Sequence, residues 1–166
     1  MKLTKLIIIF LIFFNFHLEL FNSERIIEIN DNTETLSLMG NIQILSDNKS
    51  KYNINDFNNL NYNFIDAKKI ISKVNDNNIN EVYWIKTSIV NYSSNNLFYL
   101  FGWREGSTIE IYYRPDNSME WIKSGTPYLP AEVNIKQNQK INILIKLKDP
   151  ILLKKLNLTL ESFKNK

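Results

Sequence analysis

Few side chains in this chain could do chemistry. The only histidine is His17, and there is no cysteine. Beyond the first residues, Ser-His-Asp triads, Cys-His dyads, histidine or thiolate metal sites and disulfides are therefore excluded. A carboxylate pair could still serve a glycosidase, and Glu105 with Glu110 is the nearest such pair. Glu105 falls in a loop and Glu110 on the polar side of a strand, where carboxylates occur without a catalytic task. No second motif accompanies them, so the reading is non-enzymatic. Asp76, Asn78 and Asn80 open like a calcium loop, but Glu81 stands where that loop needs glycine and Thr87 where it needs a bidentate glutamate. A solvated Asn-rich turn explains them better, and neither metal nor cofactor is expected.

The aromatic residues are more informative. Sugar sites set an exposed ring against the apolar face of a pyranose and add a few polar groups to fix its orientation. Trp103, Arg104 and Glu105, in a loop flanked by Gly102 and Gly106, fit that recipe. Tyr112 and Glu110 share the polar face of the next strand. The expected ligand-binding set is therefore Trp103, Arg104, Glu110 and Tyr112. The plainer account makes Trp103 the cover of one end of the fold, and places Trp84 and Trp121 in the core, because rings within strand alternation usually pack inward. Arg114 and Lys86 could meet a carboxylate on a ligand, but a solvated surface is the ordinary expectation for each.

These residues sit on a run of four expected strands between Tyr83 and Gly125, which holds all three tryptophans. Tyr83, Ile85, Thr87 and Ile89 alternate with Trp84, Lys86, Ser88 and Val90, the period-2 pattern of a strand on a core. Asn91 to Asn96 turns the chain. Leu97 to Phe101 is apolar on both sides, which places it mid-sheet and covered on each face. Ile109, Ile111 and Tyr113 alternate with Thr108, Glu110 and Tyr112, then Arg114 to Ser118 turns around Pro115, and Met119 to Lys123 returns.

Earlier, Glu24 to Ile29 and Ile42 to Leu45 read as strands. Ile54, Phe57 and Leu60 suggest one or two helical turns laid across an end of the sandwich, and Phe64 to Lys73 has helical spacing, ended by Asn75 to Asn78. Later, Val133 to Lys136 reads as an edge strand and Ile141, Ile143, Ile145 and Leu147 as the inward face of a strong one, broken at Asp149-Pro150. Leu156, Leu158 and Leu160 line the last. Short strands with turn chemistry between them indicate an all-β, antiparallel sandwich with one short helix. There is no internal repeat and no long linker, so residues 24–166 read as one domain.

The chain has 166 residues and a formal charge of +3, which asks for no nucleic acid. Lys2 and Lys5 precede the apolar run Leu6 to Phe16, too short to span a bilayer comfortably but suited to a secretory signal. Residues 1–23 are thus expected to be a signal peptide, or an uncleaved N-terminal anchor, giving a periplasmic or extracellular protein. Loss of Lys2, Lys5 and Glu19 with it lowers the charge to +2. Twenty-five asparagines fit an AT-rich genome, and the sequons at Asn48, Asn91 and Asn157 are chance matches in that background.

Taken together, Ile42 to Asp47, Asn55 to Phe57, Tyr83 to Lys86, Val90 to Ser93, Ile109 to Tyr113, Trp121 to Gly125 and Ile143 to Lys146 resemble, in order and spacing, extracellular domain 2 of the bacterial seven-transmembrane receptors with diverse intracellular signalling modules, the 7TMR-DISM family. The resemblance runs from about Leu38 to Phe163 and implies a jelly roll similar to carbohydrate-binding modules that senses an external small ligand. Family members continue into seven membrane helices and a cytoplasmic output. With none after Lys166, the expectation is a free binding protein, a subunit of a membrane receptor or a truncated product. The leading expectation is a non-enzymatic sensor of a carbohydrate-like small molecule. The alternative is an interaction or structural module docked on an envelope protein.

Overall fold

The computed structural model describes residues 25–59, 62–74, 81–102, 109–124, 130–148 and 150–162. Residues 1–23, expected as a signal segment, Asp76 to Asn80, and Trp103 to Glu105 lie outside them. The fold is an all-β sandwich. Its larger sheet runs β4 (Ile65–Asp66), β3 (Gln43–Asp47), β5 (Val82–Asn91), β10 (Gln139–Leu147), β7 (Ile109–Pro115), β8 (Ile122–Lys123), with β1 (Ile26–Ile29) also on β5. The smaller sheet runs β2 (Thr35–Ser37), β11 (Thr159–Ser162), β6 (Leu97–Phe101), β9 (Ala131–Asn134). Every strand pair is antiparallel except β1 with β5, where Ile27 stands opposite Ile89.

Alternation explains the core. Ile85 and Ile89 of β5, Ile109 and Ile111 of β7, and Ile141, Ile143 and Ile145 of β10 face Phe98 and Leu100 of β6, Val133 of β9 and Leu160 of β11, all buried in one cluster. These are branched or aromatic residues at every second position, which suits a pleated, half-buried surface. The turn from β5 to β6 is fixed by Asn91, fully buried. Its Nδ2 donates to the carbonyls of Asn95 and Ile135, each at 2.7 Å, and its Oδ1 accepts from the Ser93 amide at 2.9 Å. That side chain is closed to modification, so its sequon is a sequence coincidence.

Four expectations need correction. Leu97 to Phe101 does lie mid-sheet, but only Phe98 and Leu100 are buried, while Leu97, Tyr99 and Phe101 are half-buried on the outer face. The 3-10 helix Ile54–Asn59 lies over the outer face of the larger sheet, where Phe57 meets Trp84, and not across an end. The Phe64 to Lys73 helix is split. β4 takes its start, and α1 (Ala67–Ile71) begins after Asp66, whose carboxylate accepts from the Lys68 amide at 2.9 Å as an N-cap. Finally, Pro150 does more than break β10: it opens a further short helix, α2 (Pro150–Lys154), where its missing donor costs nothing. Leu153 from that helix is fully buried.

Candidate functional site

The same alternation that fills the core turns a second set of residues outward on the larger sheet. One row, strand to strand, reads Gln43, Lys86, Leu144, Tyr112, Lys123. The next reads Leu45, Trp84, Lys146, Glu110, and on the other side Ser88, Asn142, Arg114. This face has its own apolar cluster of Phe57, Phe64, Val82, Trp84, Tyr112 and Leu144. Phe57 stands 4.6 Å from Trp84 and 4.9 Å from Tyr62, centroid to centroid. Asp47 ties the covering segment down. Its carboxylate, 1% exposed, accepts from the amides of Lys51 at 2.9 Å and Tyr52 at 3.1 Å, and from the Trp84 indole at 3.4 Å. Donors from three residues converge on one buried charge, the way such a charge is made tolerable.

Two of the four expected ligand-binding residues meet here. The Tyr112 hydroxyl donates to Glu110 Oε2 at 2.6 Å, as strand neighbours two apart on one face can. Lys123 Nζ lies 3.9 Å from Glu110 Oε1 and 5.6 Å from the Tyr112 ring centre, and Lys146 Nζ 5.0 Å from that of Trp84. The Tyr112 hydrogen bond is the main cause that holds the Glu110 carboxyl below its ordinary range. Burial opposes it, and the charges of Lys123, Lys146 and Lys148 assist. Burial, then Glu110, pushes the Tyr112 phenol up. At neutral pH the pair is a fixed ionised acceptor beside a fixed donor. A lowered carboxyl suits orientation of hydroxyls and cations, the opposite of the raised value a general acid needs.

Beyond Tyr112 the face becomes deeper and more polar. Ser88 Oγ donates to Asn142 Oδ1 at 2.8 Å, and Asn142 Nδ2 to Asp116 Oδ1 at 3.4 Å. Arg114, expected in solvent, is 6% exposed. Its Nη1 donates to the Asn58 carbonyl at 2.9 Å, and its guanidinium lies 4.6 Å from the Trp121 ring centre. Burial lowers its pKa, with Asp116 opposing. Lys86, also expected in solvent, is buried with Nζ 5.9 Å from the Phe64 ring centre. Both corrections have one cause: the segment around Phe57 covers the face their alternation exposes.

Trp84 is fully buried, as expected of a core ring, but in the outer cluster. Trp121 is half-buried against that same cluster and not within the core between the sheets. Trp103 and Arg104 lie outside the described residues. Sequence reasoning missed Lys123, Lys146 and the Arg114–Trp121 stack. The hairpin turn at Pro115 was the available signal, because it pairs Tyr112 with Lys123. Thr87, which stands where a calcium loop needs its glutamate, points into the sandwich from β5 and is buried. Among the described residues no group of three or more His, Cys, Asp or Glu could hold a metal ion, and no helix is long and apolar enough to cross a membrane.

No protein-family model matches the chain, and no curated protein matches it.

Proposed function

We propose that this protein is an exported, non-enzymatic sensor or binding domain that takes a carbohydrate-like small ligand on the outer face of its larger sheet. The observation that carries the reading is the Glu110–Tyr112 pair, hydrogen-bonded at 2.6 Å beside Lys123 and Lys146 on the outer face. Fixed donors and acceptors are what a hydroxyl-rich ring needs for orientation. Residues 1–23 act in this reading as the export signal. The jelly-roll connectivity and sensing role of 7TMR-DISM extracellular domains are part of the same proposal, supported by the order of sequence features given above.

The test is a glycan panel titrated while tryptophan fluorescence is followed. A saturable change with at least one glycan is expected, weakened about tenfold by Glu110→Gln, which removes a charge-assisted acceptor. No change with any glycan, and no effect of Glu110→Gln, Tyr112→Phe or Trp103→Ala, would overturn it. A second reading, docking on an envelope protein or membrane receptor, draws on the half-buried row Leu97, Tyr99 and Phe101 on the smaller sheet. Pull-down from membranes with Tyr99→Glu as control separates it from the first.

A further inference from the structure

The deep end of the outer face holds two donors with nothing to bond. Among the described residues, Arg114 Nε and Trp121 Nε1 are both buried and find no hydrogen-bond partner. They belong to side chains stacked on each other 4.6 Å apart. A buried donor without an acceptor costs stability, and natural folds retain few of them. The neighbouring polar groups do not suffer this. Ser88, Asn142 and Asp116 satisfy one another, Asp116 also lies 3.9 Å from Lys140, and Glu110 is engaged by Tyr112 and Lys123. No carboxylate among the described residues forms an ion pair with Arg114, which is 6% exposed.

The chemistry of the guanidinium narrows what is missing. Nη1 is committed to the Asn58 carbonyl. The edge that carries Nε is the one that offers two parallel N–H groups, the arrangement that matches a carboxylate in bidentate fashion. Trp121, just before the edge strand β8, contributes a third N–H, and a ring outside the strand can shift with little disturbance to the sheet. The rest of this face carries charges of both signs. Lys86, Lys123 and Lys146 accompany Arg114, while the acidic groups Asp47, Glu110 and Asp116 already have partners.

We propose that the Arg114–Trp121 end of the outer face binds a carboxylate, so that the ligand of this domain is a sugar acid, its carboxylate on Arg114 Nε and Trp121 Nε1 and its hydroxyls toward Tyr112 and Glu110. This rests on the sugar-binding reading above for the hydroxyl half and on the two unmet donors for the carboxylate half. Because both donors are buried, the ligand reaches them by moving the Trp121 ring, and binding therefore reports in that indole's fluorescence.

The experiment titrates the full chain by isothermal titration calorimetry, which needs no indole reporter, with glucuronate and galacturonate, with glucose and galactose as neutral counterparts and succinate as a carboxylate without a sugar ring. The acids are expected to bind at least tenfold more tightly than the neutral sugars, the loss that follows from one missing charge-assisted contact. Trp121→Phe keeps the stack and removes one N–H, and should weaken the acids severalfold while leaving neutral sugars unchanged. Arg114→Lys keeps the charge and removes the fork, and should abolish the preference; thermal melts of both variants confirm that they fold. Binding of succinate alone would uphold the carboxylate site and overturn the sugar reading. Equal binding of acids and neutral sugars would overturn the carboxylate site and leave the sugar reading standing. Absence of binding by every probe would overturn both.

Discussion

The two faces of the larger sheet are built from the same strands and are both largely covered, yet they differ in kind. On β5, Ile85 and Ile89 point into an aliphatic core between the sheets, whereas Trp84, Lys86 and Ser88 point out into an aromatic and polar layer. The inner face is closed by the smaller sheet, whose four strands hold one another through their hydrogen-bond ladders. Among the described residues the outer face is closed by one segment, held by Asp47 at one end and by the contact of Asn58 with Arg114 further on. Burial alone does not mark a structural core. A face covered by a tethered segment can bury cations that a sandwich interior would not retain, and such a face is where recognition has room to develop.

Cavity mutations are the strongest way to break this contrast. Ile143→Ala, at the centre of the inner face, should cost about 4 kcal/mol in urea unfolding, since both sheets meet there and cannot collapse around the gap. Phe57→Ala removes a larger side chain but should cost less, about 3 kcal/mol, because the covering segment can lift locally instead of unfolding the sandwich. It should also redden the emission of Trp84, which Ile143→Ala should not do below its unfolding midpoint. Equal or reversed costs would mean that the outer layer is as integral as the core.

Acid offers a smaller and sharper probe. The Glu110 carboxyl is held low by Tyr112 and that of Asp66 by the Lys68 amide and by Arg25, 2.9 Å away. A carboxyl lowered in the folded state binds its proton later than in the unfolded chain. Its stabilisation is therefore complete above the ordinary carboxylate range and is lost as pH falls through the lowered value. Melting temperature should drop between about pH 5 and pH 3. Tyr112→Phe should lower stability by about 1 kcal/mol at pH 7 and shrink that acid-induced drop, as it removes the main cause of the Glu110 shift. An unchanged pH profile would show that the pair is not formed in solution.

Much of the inner face was legible in the sequence, because branched residues at every second position in β5, β7 and β10 admit no other reading. The outer face was not. Lys86, Ser88, Arg114 and Asn142 alternate with apolar residues and so look like a wet surface, the ordinary meaning of that pattern. What covers them comes from Tyr52, Phe57, Tyr62 and Phe64, whose spacing follows no helix or strand period, and depends on the long-range contacts of Phe57 with Trp84 and of Asn58 with Arg114. Of the expected site, Glu110 and Tyr112 came together because one strand carries both. The parallel pairing of β1 with β5 left no trace in composition, since its Ile27 and Ile29 would serve either direction equally.

The central claim is that recognition belongs to the outer face of the larger sheet. Amide chemical-shift mapping of the isotopically labelled protein, titrated with glucuronate, tests it most directly. The account predicts shifts concentrated at Glu110, Tyr112, Arg114, Trp121, Lys123 and Lys146. Shifts confined to Leu97, Tyr99, Phe101 and Glu132 on the smaller sheet, or none at saturating glucuronate, would contradict it.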